Sequence, residues 1–106
     1  MFSEGFAFGF PPRPYALAAH LKLLEEVAGA APWMIAGLRV DVRPLFGEAV
    51  LSGGQVRVGL EDAPLGSPMS NVAWVEEAVR SLRAHGAEPA AMEDVRRELD
   101  LAMSRK

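Results

Sequence analysis

The feature that most constrains this fold is the change of hydrophobic period along the chain. Residues 6–10 (FAFGF) and 55–61 (QVRVGLE) place bulky apolar side chains at every second position, which is the pattern of a β-strand. Residues 33–38 (WMIAGL) are continuously apolar and too few for a helix, so they predict a strand buried on both faces. The chain therefore contains three candidate strands.

Helical periodicity fills the segments between and after these strands. We expect helices from Tyr15 to about Gly29, over residues 43–52, from a cap at Ser70 or Asn71 to Gly86, and from Pro89 onwards. The inward-facing residues expected on the last two helices are Val72, Val75, Val79 and Leu82, and then Met92, Val95 and Leu99. The resulting order β-α-β-α-β-α-α predicts an α/β protein with a parallel sheet and right-handed crossovers.

Length and charge narrow the class of protein further. The 106 residues predict a single domain, and a formal net charge of −3 argues against a nucleic-acid-binding surface. No apolar run reaches the roughly 18 residues of a transmembrane helix, and the N-terminus lacks the basic region of a signal peptide. Because the sequence has no cysteine, we expect a cytoplasmic protein without disulfides or thiolate metal sites.

Charged residues on the third strand carry the candidate chemistry. Arg57 and Glu61 share one face of a strand otherwise built of Val, Gly and Leu, and Gly59 between them leaves room for a ligand. Asp62 follows at the carboxyl end, where parallel α/β sheets bind their ligands. One of the two carboxylates can then hold a metal while the other acts as a base. The alternative is a buried structural ion pair between Arg57 and Glu61, with a solvated Asp62.

The string GGQVRVGLEDAPL, followed by SNVAWVEEAVRSLRAHGAEPA, closely resembles the C-terminal part of the β-keto acid cleavage enzymes, which include the 3-keto-5-aminohexanoate cleavage enzyme. The matching features are the Gly53–Gly54 turn, the segment 57–62 (RVGLED) and the Ser70–Asn71 helix cap. The upstream strands FAFGF and WMIAGL extend the resemblance over nearly the whole chain.

The resemblance implies a fold, a reaction and a set of site residues. It implies a (β/α)8 TIM barrel, which takes about 250 residues, so residues 1–106 would be a single partial domain. That domain would comprise the last three βα units plus a short C-terminal helix. The implied reaction is a zinc-dependent retro-Claisen exchange, in which a β-keto acid and acetyl-CoA give acetoacetate and a new CoA thioester. Glu61 would bind Zn²⁺, Asp62 would be the general base, and Arg57 would support Asp62 or the anionic substrate.

The resemblance also implies partners for this chain. We expect the other zinc ligands, a His-x-His pair, in an upstream half of the barrel. His20 and His85 fall on predicted helices and are expected to be ordinary helix residues. The chain alone is therefore expected to be inactive and to need the missing barrel half or self-association, with no nucleic acid or membrane as partner. The alternatives that stay open are a non-catalytic interaction module with a barrel remnant and an unrelated α/β protein.

Overall fold

The structure, a computed structural model, describes residues 1–5 and 9–104. It contains helices α1 (Pro14–Ala28), α2 (Phe46–Leu51), α3 (Asn71–Ala84) and α4 (Met92–Ser104), and strands β1 (Met34–Ile35) and β2 (Gln55–Val56). A single 3-10 turn over Arg43–Leu45 leads into α2. The described part of the chain is thus a mixed α/β fold with a small parallel sheet. None of its described helices has both the length and the apolar character needed to cross a membrane.

The sheet is parallel, as the alternation of strands and helices predicts. Met34 pairs with Gln55 and Ile35 with Val56. On the other side of β1, Phe2 forms a parallel bridge with Gly37, and its amide donates a hydrogen bond of 2.9 Å to the carbonyl of Ala36. Consequently the carboxyl ends of these segments lie along one edge of the sheet.

The ladders are shorter than the sequence predicts. The strand expected over residues 6–10 lies mainly on residues 6–8, outside the described residues, although Phe10 at its end bridges Phe2. The strand expected over residues 55–61 stops after Val56, and residues 59–62 form a turn in which the amide of Asp62 donates to the carbonyl of Gly59. The placement of Glu61 on the strand is therefore wrong, because the turn ends the period-two alternation before that residue.

Burial in the sheet is also one-sided. Ile35 is 2% exposed and belongs to the core, but its neighbour Met34 is 56% exposed. The expected burial of residues 33–38 on both faces is therefore wrong. The described residues cover only one face of β1.

The hydrophobic core lies between the sheet, α2 and α3, and α1 adds Ala16 and Leu17 to it. Leu45 and Phe46, at the start of α2, are its largest fully buried side chains. Burying a side chain of this size stabilises a fold by about 2 kcal/mol. The short segment 43–51, which connects the two strands, is therefore the main anchor of the sheet.

On two helices, the residues that the sequence predicts to be buried are exposed. Helix α3 begins where expected, because the Ser70 hydroxyl accepts a hydrogen bond of 3.1 Å from the amide of Ala73. Its buried residues are Trp74 and Ala78, whereas Val72 and Val75 are 66% and 52% exposed. On α4, Met92 and Leu99 are 62% and 47% exposed. The expected inward stripes are thus wrong at these positions, since no described element covers those faces.

Candidate functional site

The site predicted at the carboxyl ends of the strands is built on the turn after β2. The amide of Arg57 still donates to the carbonyl of Ile35 at 3.0 Å, so Arg57 continues the parallel ladder by one residue. Beyond it the chain folds back over Gly59, and the amides of Asp62 and Ala63 both donate to the Gly59 carbonyl. This turn brings the carboxylate of Asp62 back towards the guanidinium of Arg57.

Arg57 and Asp62 form a forked ion pair. Arg57 Nε lies 2.9 Å from Asp62 Oδ2, and Nη2 donates to Oδ1 at 3.3 Å. The Asp62 side chain is only 11% exposed and that of Arg57 is 53% exposed. No described group donates an aligned hydrogen bond to Oδ2. Oδ2 is itself buried, so within the described residues it is held by the charge of Arg57 and shielded from solvent.

Glu61 lies at the solvent-exposed side of this pair. Its side chain is 87% exposed, and Oε2 lies 3.5 Å from Nη2 of Arg57. The alternative of a buried Arg57–Glu61 pair is therefore wrong, because the buried acidic partner of Arg57 is Asp62. Within the described residues, no group of three or more His, Cys, Asp or Glu side chains could hold a metal ion. Glu61 is thus not part of a set of three such side chains among the described residues.

The sequence did not indicate what holds the turn in place. The side-chain oxygen of Asn71, at the start of α3, accepts a hydrogen bond of 2.8 Å from the amide of Leu60. Gly59 has a φ of 154°, a conformation that residues with a Cβ rarely adopt, so glycine suits this position. The sequence indicates Asn71 only as a candidate helix cap, because its position eleven residues beyond Leu60 carries no signal of this contact.

A second charged cluster lies at the same edge of the sheet, and the sequence does not indicate it. Arg43 Nε donates to Asp41 Oδ1 at 2.9 Å and Nη2 donates to Oδ2 at 2.7 Å. The guanidinium carbon lies 5.0 Å from the ring centroid of Trp74, within the range of a cation–π contact. Nη1 lies 3.7 Å from the sulfur of Met69. Arg43 therefore connects the loop after β1 to α3 and to the loop that precedes it.

The contact between Arg43 and Asp41 shifts the pKa of both groups. Hydrogen bonds from the Arg43 side chain hold the pKa of the Asp41 carboxyl below its ordinary value, although partial burial opposes them. The same bonds raise the pKa of Arg43. The pair is therefore charged throughout the neutral range and acts as a fixed dipole beside the site.

The Arg57–Asp62 pair lines a small cavity of about 10 Å³. Its lining includes Arg57, Asp62, Trp74 and Val42. A cavity of this size holds about one water molecule, so it is no substrate pocket.

A larger opening lies on the uncovered side of the sheet. It is a cleft of about 500 Å³ between β2 and α3, lined mostly by apolar residues that include Met34, Val56, Val75, Val79 and Leu82. The side chain of Arg57 also reaches it. Apolar surface of this kind typically marks an interaction site.

His20 lies within α1, as expected, whereas His85 is the C-cap residue just after α3. Nδ1 of His20 lies 2.8 Å from the carbonyl oxygen of Ala16, and its ring packs against those of Phe2 and Phe10. Nδ1 of His85 lies 2.8 Å from the carbonyl oxygen of Ser81. Each is thus engaged by its own helix.

The whole site lies within a segment that matches a known family. The profile of the beta-keto acid cleavage enzyme matches residues 1–101, which include Arg57, Glu61 and Asp62. A search of curated proteins finds no match.

Proposed function

This chain belongs to the beta-keto acid cleavage enzyme family, and we propose that it forms the C-terminal part of a zinc-dependent enzyme of that kind. The proposed reaction is a retro-Claisen acyl exchange between a β-keto acid and acetyl-CoA, which yields acetoacetate and a new CoA thioester. The observation that carries the proposal is the buried carboxylate of Asp62, held by Arg57 at the carboxyl edge of the sheet.

Asp62 is the proposed general base. A carboxylate does this work when it is fixed in orientation and has a free lone pair. Arg57 fixes the Asp62 carboxylate through a hydrogen bond to Oδ1 and an ion-pair contact at Oδ2. The Asp62 carboxylate would take up the substrate proton whose removal starts cleavage of the carbon–carbon bond.

Arg57 is the proposed positioning group for this base. Its side chain is half-exposed and therefore open to an anionic substrate on the side that does not face Asp62. Because Nη2 also lies 3.5 Å from Glu61, one guanidinium spans both carboxylates. It would keep the proton-accepting oxygen and the proposed metal ligand at a constant separation.

One residue of the candidate site, Glu61, is suited to bind zinc. The exposed carboxylate of Glu61 is an acceptable zinc ligand, and a catalytic zinc needs about three protein ligands. We propose that the other ligands come from a His-x-His pair in an upstream barrel half. A bound zinc ion would polarise the keto oxygen of the substrate as a Lewis acid.

The proposed fold context is a (β/α)8 barrel in which β1 and β2 are the seventh and eighth strands. The parallel pairing, the helix between the two strands and the position of the charged residues after β2 are compatible with this placement. The apolar cleft beside β2 would then pack against the upstream barrel half, and without that half the chain would be inactive.

The second candidate function is a non-catalytic interaction module. The cleft of about 500 Å³ favours it, because its lining is apolar and open to a protein partner. The two candidates differ in what they require of Asp62. The enzyme needs its carboxylate for turnover, whereas an interaction module needs only the apolar surface.

The test combines this chain with an upstream barrel half and measures zinc- and acetyl-CoA-dependent turnover. We expect Glu61→Gln and Asp62→Asn each to reduce turnover by at least about a hundredfold, as for the loss of a general base. Glu25→Gln, on the exposed surface of α1, is the matched control and should be neutral. Full turnover in Asp62→Asn, with the complex intact by size-exclusion chromatography, would refute the enzyme proposal and leave the interaction module.

A further inference from the structure

Arg39 has a backbone conformation that residues other than glycine rarely adopt. Its φ is 59°, and no other described residue except glycine has a positive φ. Glycine would occupy this conformation without steric cost. Strained residues of this kind cluster at functional sites. An arginine here therefore calls for an explanation in terms of its side chain.

Arg39 lies in the loop that leaves β1 at the carboxyl edge of the sheet. This loop packs against the turn that carries Asp62, since a Cβ added at Gly37 would lie 3.3 Å from the carbonyl oxygen of Asp62. The next residue, Val40, lines the small cavity together with Arg57 and Asp62. The strained residue is thus a direct neighbour of the candidate site.

The charge of Arg39 is also uncompensated by its surroundings. Arg43 is paired with Asp41, and Arg57 is paired with Asp62 and Glu61. Arg39 is exposed, and no acidic group of the described residues lies within 4.0 Å of it in an ion pair. Of the three arginines on the loops that follow β1 and β2, Arg39 is the one whose guanidinium is available to an anion.

We propose that Arg39 binds a phosphate group of the CoA thioester. The inference rests on the proposed function, in which CoA is a substrate and β1 is the seventh barrel strand. The loops after the seventh and eighth strands of such barrels frequently form phosphate sites. The guanidinium is planar and donates two parallel hydrogen bonds, a geometry that matches phosphate oxygens.

The test measures binding of CoA, pantetheine and inorganic phosphate to the full chain by NMR titration. Pantetheine lacks the phosphates and serves as the neutral probe. We expect Arg39→Ala and Arg39→Gly to weaken CoA binding about tenfold, the lower end for a charge-assisted hydrogen bond. Arg39→Lys should keep most of the affinity, and pantetheine binding should not change. Arg96→Ala, on the exposed surface of α4, should leave CoA binding unchanged.

Stability separates a binding role from a structural one. Arg39→Gly relieves the strained backbone and should raise the urea midpoint of unfolding, while Arg39→Ala keeps the strain and should not. A variant that is more stable and yet binds CoA less tightly cannot owe the loss to a damaged fold.

Four outcomes would overturn the proposal: no binding of CoA to the unaltered chain, equal binding of CoA and pantetheine, unchanged affinity in Arg39→Ala, or an equal loss in Arg96→Ala. Each is measured without turnover. A failure of the catalytic proposal, seen as full turnover in Asp62→Asn, is therefore a separate result from a failure of the phosphate site.

Discussion

Replacing Arg57 by methionine tests whether Asp62 depends on its ion pair. Methionine keeps the aliphatic length of the side chain and removes the guanidinium. The Asp62 carboxylate, 11% exposed, would then have lost the group that lies 2.9 Å from Oδ2 and 3.3 Å from Oδ1. An anion at this burial needs compensation, so the folded state should be destabilised.

The expected loss of stability follows from the exposed fractions of the Asp62 and Arg57 side chains. Removing one partner of a fully buried ion pair costs about 3–5 kcal/mol. Because the Arg57 side chain is 53% exposed, water can reach the site when it is gone. We therefore expect the free energy of unfolding to fall by about 2 kcal/mol in Arg57→Met.

A double-mutant cycle separates the pair from the loss of packing. Asp62→Asn alone keeps the size of the side chain and an oxygen that can still accept from Arg57, so we expect it to cost about 1 kcal/mol. In the double variant no buried anion is left without a partner. It should be about 1 kcal/mol more stable than the sum of the two single effects predicts.

The assay is urea unfolding at neutral pH, followed by circular dichroism. Glu61→Gln is the control, because an ion pair with a side chain that is 87% exposed should contribute less than about 0.5 kcal/mol. If Arg57→Met costs no more than Glu61→Gln, Arg57 does not hold the Asp62 carboxylate, and the reasoning that makes Asp62 a positioned base fails.

Two further predictions concern the Arg43–Asp41 pair beside the site and the packing of Gly54 at the opposite edge of the sheet. Because Arg43 lowers the pKa of Asp41, the pair stabilises the fold above the ordinary pKa of an aspartate, and this contribution is lost as the pH falls through the lowered pKa. Acid unfolding should therefore show Asp41→Asn less stable than the unaltered chain at pH 6, with a difference that shrinks as the pH falls through the lowered pKa of Asp41, and a difference that does not change with pH would contradict the pairing. A Cβ at Gly54 would overlap the ring of Trp33, so Gly54→Ala should lower the free energy of unfolding by about 2 kcal/mol. Gly5→Ala, where a Cβ meets nothing within 4 Å, should have no effect in the same urea titration, and a neutral Gly54→Ala would show that the ring moves freely.

The sequence predicted the elements that depend on local chemistry. The start of α3 was predictable because a serine hydroxyl at that position can accept from an amide three residues on, and Ser70 does so. The parallel direction of β1 and β2 was predictable because a helical segment connects them. Both predictions use residues that lie close together in the sequence.

The arrangement of the candidate site residues was not predictable from the sequence. Period-two alternation placed Glu61 beside Arg57 on a strand, whereas the turn at Gly59 reverses the chain and turns Asp62 inward. The sequence signals a glycine at the turn, but which of two adjacent carboxylates becomes buried depends on contacts with a distant residue. Asn71 supplies such a contact, as its side chain binds the amide of Leu60.

The incorrect burial predictions share a physical cause that bears on the proposed partner. An apolar stripe indicates that a helix face needs a cover, and it does not say which chain provides it. Val75 and Met34 were predicted to be buried and are half-exposed, and both line the cleft beside β2. In a complete barrel the upstream units would pack against this side of the sheet. The same two residues that contradict a self-sufficient core are therefore those we expect an upstream half to bury, and their protection from solvent on mixing would measure that association directly.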